Sequence, residues 1–451
     1  MFKKLFLFLL LPCIGGAVFA QDGGFGFGFD DTESADGGAA SSSPHVTISG
    51  KVQAQLLGYT HDMDSASGFD LGNILQGKLN FAANSSVADA FVNLKIEPQL
   101  DKGEWKNPFI VDEAYARFYF GDFQLEGGLR KLTWGKADSL GPLDVVNPLN
   151  YSDLSKMSDL LAIKIARPML DLAYSLGSFT KLEAVFVPWF QGNEYAADPN
   201  ASNARWIPEV MTKFAAGATA MGISDPYSLY KDTERSIAYA QAGLRFTTTL
   251  GSSDLGMQYY YGRLPKPAIN ASKLMVGESP LFYNAYHQVG FDYAQVIAGF
   301  NIRAELAANL TDDFSGDDGS VYNPKICWSL GFDRDLFLGI NLNLQVNEAV
   351  ALMHGKIDSN PLFDTEAGTD ETFTRLTVIV SKKVLRDELE FKVKTLWTIE
   401  QNDCYIIPSI AWTRGDVNAE LSGGIFAGDF SGEFGYYHNN SFIKALVGYT
   451  L

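Results

Sequence analysis

The chain is poor in cysteine: three residues in 451, too few for a disulfide scaffold. Five histidines are present, and no two of them share a helical or metal-ligand spacing, so neither a zinc site nor any other metal site is expected. Neither a Gly-x-Ser-x-Gly elbow nor a P-loop occurs. No cofactor is expected, and the chain does not read as an enzyme. Basic charge is also short. Lys and Arg number 35 against 53 acids, a net charge of -18, which excludes the basic face that nucleic acid demands. Past the N-terminus no run of about 18 apolar residues exists, so no helical membrane span is expected. After residue 45 there is no linker and no shift of composition. What the chain does have is aromatic residues and glycine: 32 Phe, 20 Tyr, 7 Trp and 43 Gly. Its mean hydropathy of -0.03 fits strands that average a polar and an apolar face.

Residues 1–20 read as a signal peptide. Lys3 and Lys4 precede an apolar run from Leu5 to Leu11, and Val18 and Ala20 take the small positions before the cut. Pro12 before Cys13 spoils a lipoprotein box. Cleavage removes two lysines and no acid, moving the charge from -18 to -20. Residues 21–44 are a Phe/Gly, acidic and Ser-rich leader expected to be disordered.

Residues 45–451 show a period of two. In Leu338 to Asn347 the residues Leu338, Ile340, Leu342, Leu344 and Val346 share one face, and Asn341, Asn343, Gln345 and Asn347 the other. Val296 to Leu310 and Leu389 to Ile399 behave alike. Soluble strands usually run 5–6 residues; these run longer, and a tilted strand needs about 9–11 to cross a bilayer. A soluble sandwich fits poorly, because full charges stand in mid-strand. Eighteen strands are expected near 46–59, 71–82, 89–98, 110–120, 122–131, 159–176, 179–190, 236–250, 254–263, 284–294, 295–310, 324–333, 336–350, 372–382, 388–401, 404–414, 416–430 and 438–451. The count falls to 16 if a weak pair is miscounted. Tight turns are expected at 121–122, 177–178, 251–253, 333–335, 385–387 and 414–416. Long loops stand near 60–70, 99–109, 132–158, 191–235, 264–283, 311–323 and 351–371. Short periplasmic turns and long extracellular loops make this an all-β, antiparallel transmembrane barrel. The last strand, Ile443 to Leu451, alternates in the manner read by the outer-membrane assembly machinery.

The stretch Arg130-Lys131-Leu-Thr-Trp134-Gly135-Lys-Ala-Asp138, followed by Asp144-Val-Val-Asn147-Pro148, resembles a pattern in uncharacterised porin-like bacterial outer-membrane β-barrel proteins. The leader is similar, more loosely, to that of spirochaetal outer-membrane proteins. The resemblance implies a barrel in the outer membrane of a Gram-negative-type bacterium or spirochaete. It names no substrate.

A loop over 132–158 that folds into the lumen would narrow it. Arg130 and Lys131 would then face Asp138 or Asp144 across a constriction and set a transverse field; Trp134, Gly135, Asn147 and Pro148 would form its structural motif. As a plain surface loop, the same stretch would place Trp134 in the interfacial girdle. Acids crowd the long loops: the leader and loops 60–70, 311–323 and 351–371 hold 17 acids against one base, Lys356. Asp358, Asp364, Glu366, Asp370 and Glu371 form the expected acidic mouth, with cation preference as its consequence. Asp312-Asp313 with Asp317-Asp318 reads as an acidic solvated loop rather than a calcium loop, and Cys327 and Cys404 as free thiols. His287 is the best-placed candidate for a catalytic His inside the wall, against the plainer reading of a solvated rim or lumen residue. The leading expectation is a diffusion channel for small polar solutes, partnered by outer-membrane lipid. The alternative is a surface binding protein or adhesin anchored by the barrel. The stretch Ala204 to Ala220 suits that alternative, or a plug.

Overall fold

Alternating residues give each strand one greasy and one polar face, and closing the sheet on itself leaves no edge to pair with another chain. The computed structural model describes residues 45–451 apart from 66–67, 71–73, 99, 102–103, 106, 271–272, 274–278 and 362. The expected signal peptide and leader lie outside the described residues.

Eighteen strands form one antiparallel barrel: β1 His45–Tyr59, β2 Leu75–Asn84, β3 Ala88–Ile96, β4 Phe109–Phe120, β5 Phe123–Arg130, β6 Arg167–Ser175, β7 Thr180–Val187, β8 Gln241–Leu250, β9 Ser253–Arg263, β10 Ala285–Ile297, β11 Phe300–Thr311, β12 Lys325–Asp335, β13 Ile340–Ala351, β14 Thr372–Val384, β15 Leu389–Thr398, β16 Asp403–Arg414, β17 Val417–Gly428 and β18 Phe442–Thr450. Each pairs with its sequence neighbour, and β1 closes on β18 from Lys51↔Thr450 to Tyr59↔Phe442. Two α-helices occur among the described residues, α1 Leu160–Ile163 and α2 Glu209–Ala220, both in long connections.

The outward face is apolar and exposed. Val52, Leu182, Leu244, Phe291, Leu306, Leu330, Leu421 and Val447 all point away from the barrel. Such a belt around a whole molecule is costly in water and stable in lipid. Aromatic residues collect at its two ends. Phe120, Phe123, Phe179 and Phe337 mark the short-turn end, and Phe109, Tyr259, Tyr261 and Trp397 the long-loop end. Arg334 lies over the Phe300 ring at the short-turn end, its charge reaching the interface.

Several expected boundaries move; the last strand, expected from 438, begins at Phe442 after a 3-10 turn over Gly435–Asn440. The β10–β11 turn falls at Ala298–Gly299, with φ of 51° and 80°. Val296 therefore belongs to β10 and pairs with Asn301, rather than sharing a face with Phe300. This turn carries no polar residue at its first position, so alternation runs through it unmarked. β12 continues through Asp335, and the turn follows at 336–339 with Leu338 at φ 61°. Leu338 thus leaves the face assigned to it. β6 begins at Arg167 because residues 160–163 coil as α1, and β8 begins at Gln241 after a 3-10 turn at Ile237–Tyr239.

Candidate functional site

The connection between β5 and β6, residues 131–166, enters the barrel and crosses it as a strap. Its first half lies along the inner wall of β7 to β13. Glu305, facing inward from β11, accepts the backbone N–H of Lys136, of Ala137 at 2.8 Å and of Leu143 at 3.2 Å. Gln258 and Gln288 donate to the carbonyls of Leu143 and Pro142, both at 2.9 Å. On β13, Gln345 accepts from Ser139 N–H at 3.0 Å, and Asn347 donates to Leu140 O at 2.9 Å. The polar alternation of β9 to β13 thus supplies the hydrogen bonds that an irregular backbone needs when it leaves water.

The motif residues fasten this half. Gly135 has φ +90°, and a Cβ there would stand 2.3 Å from Glu305 Oε1. Only glycine permits both the turn and the approach. Trp134 is 1% exposed inside the barrel, and its indole donates to Glu183 Oε2 at 2.7 Å. It is therefore not a girdle residue. Asn147 accepts from Leu132 N–H at 2.8 Å and donates to Arg130 O and Ile165 O, pinning both ends of the strap. Pro148 O takes the Ile165 N–H at 2.9 Å.

The expected charges are all at the strap, with other partners. Arg130 pairs with Glu126 and, at 2.8 Å, with Asp171. Lys131 pairs with Asp112 at 2.8 Å, where a β4 bulge turns Asp112 inward. Asp138 meets Arg303 and Asn343, and Asp144 meets Lys164 at 2.7 Å. So Arg130 and Lys131 do not face Asp138 or Asp144 across a gap. Each charge is neutralised on its own wall, because burying an unpaired charge costs far more than pairing it. Burial pushes the Asp138 and Asp144 carboxyls above the ordinary carboxylate value, against the pull of Arg303 and Lys164.

The second half of the strap reaches the far wall. Lys394 on β15 donates to Met157 O at 3.3 Å, and Tyr405 on β16 donates to Leu154 O at 3.1 Å. Here it joins an apolar plug. Trp206 and Met211, from the connection 188–240, pack with Leu154, Met157 and Ile163 against Leu57, Tyr59, Leu396, Tyr405, Phe426 and Phe442 on the inner wall. Phe434 and Tyr437, from the connection after β17, complete it. The Ala204 to Ala220 stretch, a 3-10 turn followed by α2, is thus used inward as a plug. Its i, i+4 apolar spacing was the signal.

Below the plug the uncovered wall is basic. Lys51, Lys78, Lys383, Lys392 and Lys444 occupy inward registers on β1, β2, β14, β15 and β18. Glu390 and Glu420 are the acids among them. Asp403 higher on β16 is held by the N–H groups of Phe434 and Gly435.

The mouth acids divide. Glu366 is 1% exposed, bonded to Asn323 N–H and, at 2.6 Å, to Lys325; Asp364 is buried and accepts from Asp358 and Glu366 N–H. Asp358, Asp370 and Glu371 are exposed. Asp313 folds its own loop, accepting from Ser315, Gly316 and Asp318 N–H groups. Hydrogen bonding from Asp318 N–H holds its carboxyl below the ordinary value. His287 faces outward between Tyr259, which it meets at 2.7 Å, and the Tyr261 ring, so it does not enter the barrel interior. Cys327 and Cys404 are free thiols.

The strands define a closed, antiparallel 18-strand transmembrane barrel with a strap inside it. It is similar to OccAB4 of Acinetobacter baumannii, with a TM-score of 0.51, 10% identity, and 91% of this chain and 98% of that chain covered. It is also similar to a BenF-like porin from Pseudomonas fluorescens Pf-5, with a TM-score of 0.50, 8% identity, and 92% and 99% covered. No protein-family model and no curated protein matches the chain.

Proposed function

We propose that the chain is a bacterial outer-membrane channel for the passive diffusion of small polar solutes. The observation that carries this reading is the strap. A polar inner wall holds an irregular segment inside the lumen, and such a segment narrows a pore. Arg130, Lys131, Asp138 and Asp144 act in this reading as the fasteners of the constriction. The apolar belt and girdles support an outer-membrane location.

Charge favours anions over the cation preference drawn from the acidic loops. Two of the five mouth acids are tied into the fold, Asp364 within its own loop and Glu366 to Asn323 and Lys325 of the neighbouring one. The uncovered wall, which a solute meets at close range, carries lysines in excess. Near charges outweigh distant ones once salt screens beyond about 8 Å. The surface-binding alternative loses its best feature, because the amphipathic stretch of the longest connection turns inward. Single-channel recording in planar bilayers tests the reading: discrete conductance steps with an anion-directed reversal potential are expected. Folded, inserted protein without conductance would overturn it.

A further inference from the structure

Beside the plug core, and packed against it through Tyr151 and Tyr230, stands a group of tyrosines. Tyr151 in the strap and Tyr195 in the connection 188–240 stack with ring centroids 5.8 Å apart at 18°, and Tyr230 meets Tyr195 edge-on at 6.2 Å. The two segments are locked together here: Tyr151 N–H donates to Glu194 O at 2.7 Å, and Asn150 Nδ2 donates to Glu194 Oε2 at 2.9 Å. The backbone thus holds both rings in place. Tyr151 and Tyr195 are only half-buried, and so are Asn150 and Glu194. Arg375, inward on β14, forms an ion pair with the exposed Glu433, and both act electrostatically on the Tyr151 hydroxyl. Glu433 acts on Tyr195 as well.

We propose that this group is a solute subsite in the channel, and that it takes the pyranose ring of a neutral sugar. The inference rests on the channel reading. A pyranose has a C–H face that lies on an aromatic ring, and hydroxyls around its edge that need donors and acceptors together. Tyr151 and Tyr195 offer the face. Asn150 and Arg375 donate, and Glu194 and Glu433 accept. These groups are already paired, Asn150 with Glu194 and Arg375 with Glu433, and a sugar hydroxyl uses the hydrogen-bonding capacity that each pair retains, which a purely aromatic solute does not. Burial pushes the Tyr195 hydroxyl up to about 12 and the Tyr151 hydroxyl upward too. Both phenols therefore stay protonated, able to donate as well as accept.

Binding is read on the full chain folded in detergent, by saturation-transfer NMR and titration calorimetry with maltotriose, and with benzoate as the competing probe. Maltotriose should show transfer and a dissociation constant in the millimolar range. Tyr151→Ala and Tyr195→Ala should each weaken it about tenfold. Tyr195→Phe, which keeps the ring face and loses one hydroxyl, should weaken binding less than Tyr195→Ala does. A gel shift on heating reports that each variant is folded. No transfer from maltotriose to the folded chain, equal binding by Tyr151→Ala and Tyr195→Ala, or binding of benzoate alone would overturn the subsite. The readout needs no conduction, so a chain that binds maltotriose yet carries no current would remove the channel and leave the subsite.

Discussion

The two halves of the lumen solve opposite problems. From β7 to β13 the inner wall must hold a piece of irregular chain. Its charges stand in close pairs with acids: Arg245 with Asp292 at 2.6 Å, Arg303 with Asp333 at 2.7 Å, and the lysines Lys181 with Glu183 at 3.0 Å and Lys325 with Glu366 at 2.6 Å. From β14 through β18 to β2 the wall holds no strap below the plug, and its charges are mostly lysines. Arg suits the first wall because its planar fork serves several fixed acceptors at once; Lys suits the second because a flexible, hydrated ammonium serves whatever passes. Scaffold and permeation surface thus differ in how fully their charges are paired within one barrel.

The largest expected effect tests the barrel that carries both walls. Leu342 faces lipid and Asn343 faces the lumen on β13, one residue apart. Arginine on the lipid face near the midplane costs roughly 2–4 kcal/mol. Leu342→Arg should therefore abolish heat-modifiable folding in detergent, while Asn343→Arg should fold. Equal damage at both positions would remove the inside and outside assigned to the strand.

The next effect belongs to the strap wall. Glu305 holds the backbone at Lys136, Ala137 and Leu143, and each hydrogen bond to a charged acceptor contributes about 1.5–3 kcal/mol. Glu305→Ala should release the strap without unfolding the barrel. Conductance should rise with greater noise, and residues 132–147 should become cleavable by added protease. Glu305→Gln should lie between, since one oxygen becomes a donor facing donors. Unchanged conductance in Glu305→Ala would mean that the strap does not limit the pore.

The lysine wall comes third. An exposed charge acts on an ion 4 Å away with about 1 kcal/mol in water, roughly fivefold in local concentration. Replacing Lys51, Lys78, Lys392 and Lys444 together by Gln should move the reversal potential toward cations while leaving the strap and the folding intact. No movement would place the ion path elsewhere in the lumen.

Sequence revealed these levels unequally, for physical reasons. Period two is a local signal, and it gave the strand number, the outward face and the side on which long connections gather. The strap was legible as a motif, because Trp134-Gly135 and Asn147-Pro148 are unusual in a polar loop. Its partners were not. Arg303 stands 165 residues from Asp138, and only the barrel's closure brings them together. Pairing Arg130 with Asp138 was the nearest choice along the chain, and the sheet overruled it by setting Asp171 directly across from Glu126 beside Arg130. The lysine wall was illegible for the same reason. Its members look like ordinary solvated charges until register aligns them.

The smallest expected effect lies at the rim. Asp358, Asp370 and Glu371 are exposed, whereas Asp364 and Glu366 are buried within the same connection. Exposed acids at the mouth oppose the lysine wall only across distance, and screening decides how much survives. The Debye length is about 30 Å at 0.01 M salt and about 3 Å at 1 M. Converting the three exposed acids to amides should therefore raise anion preference slightly at 0.01 M and not at all at 1 M. Glu366→Gln should act otherwise. It weakens an acceptor shared by Asn323 N–H and Lys325, so the connection 352–371 should become more sensitive to protease with little change in selectivity. If Glu366→Gln shifted selectivity as strongly as the exposed trio, the mouth would act as one charged ring, and the separation between structural and permeation charges would fail at the rim even where it holds in the lumen.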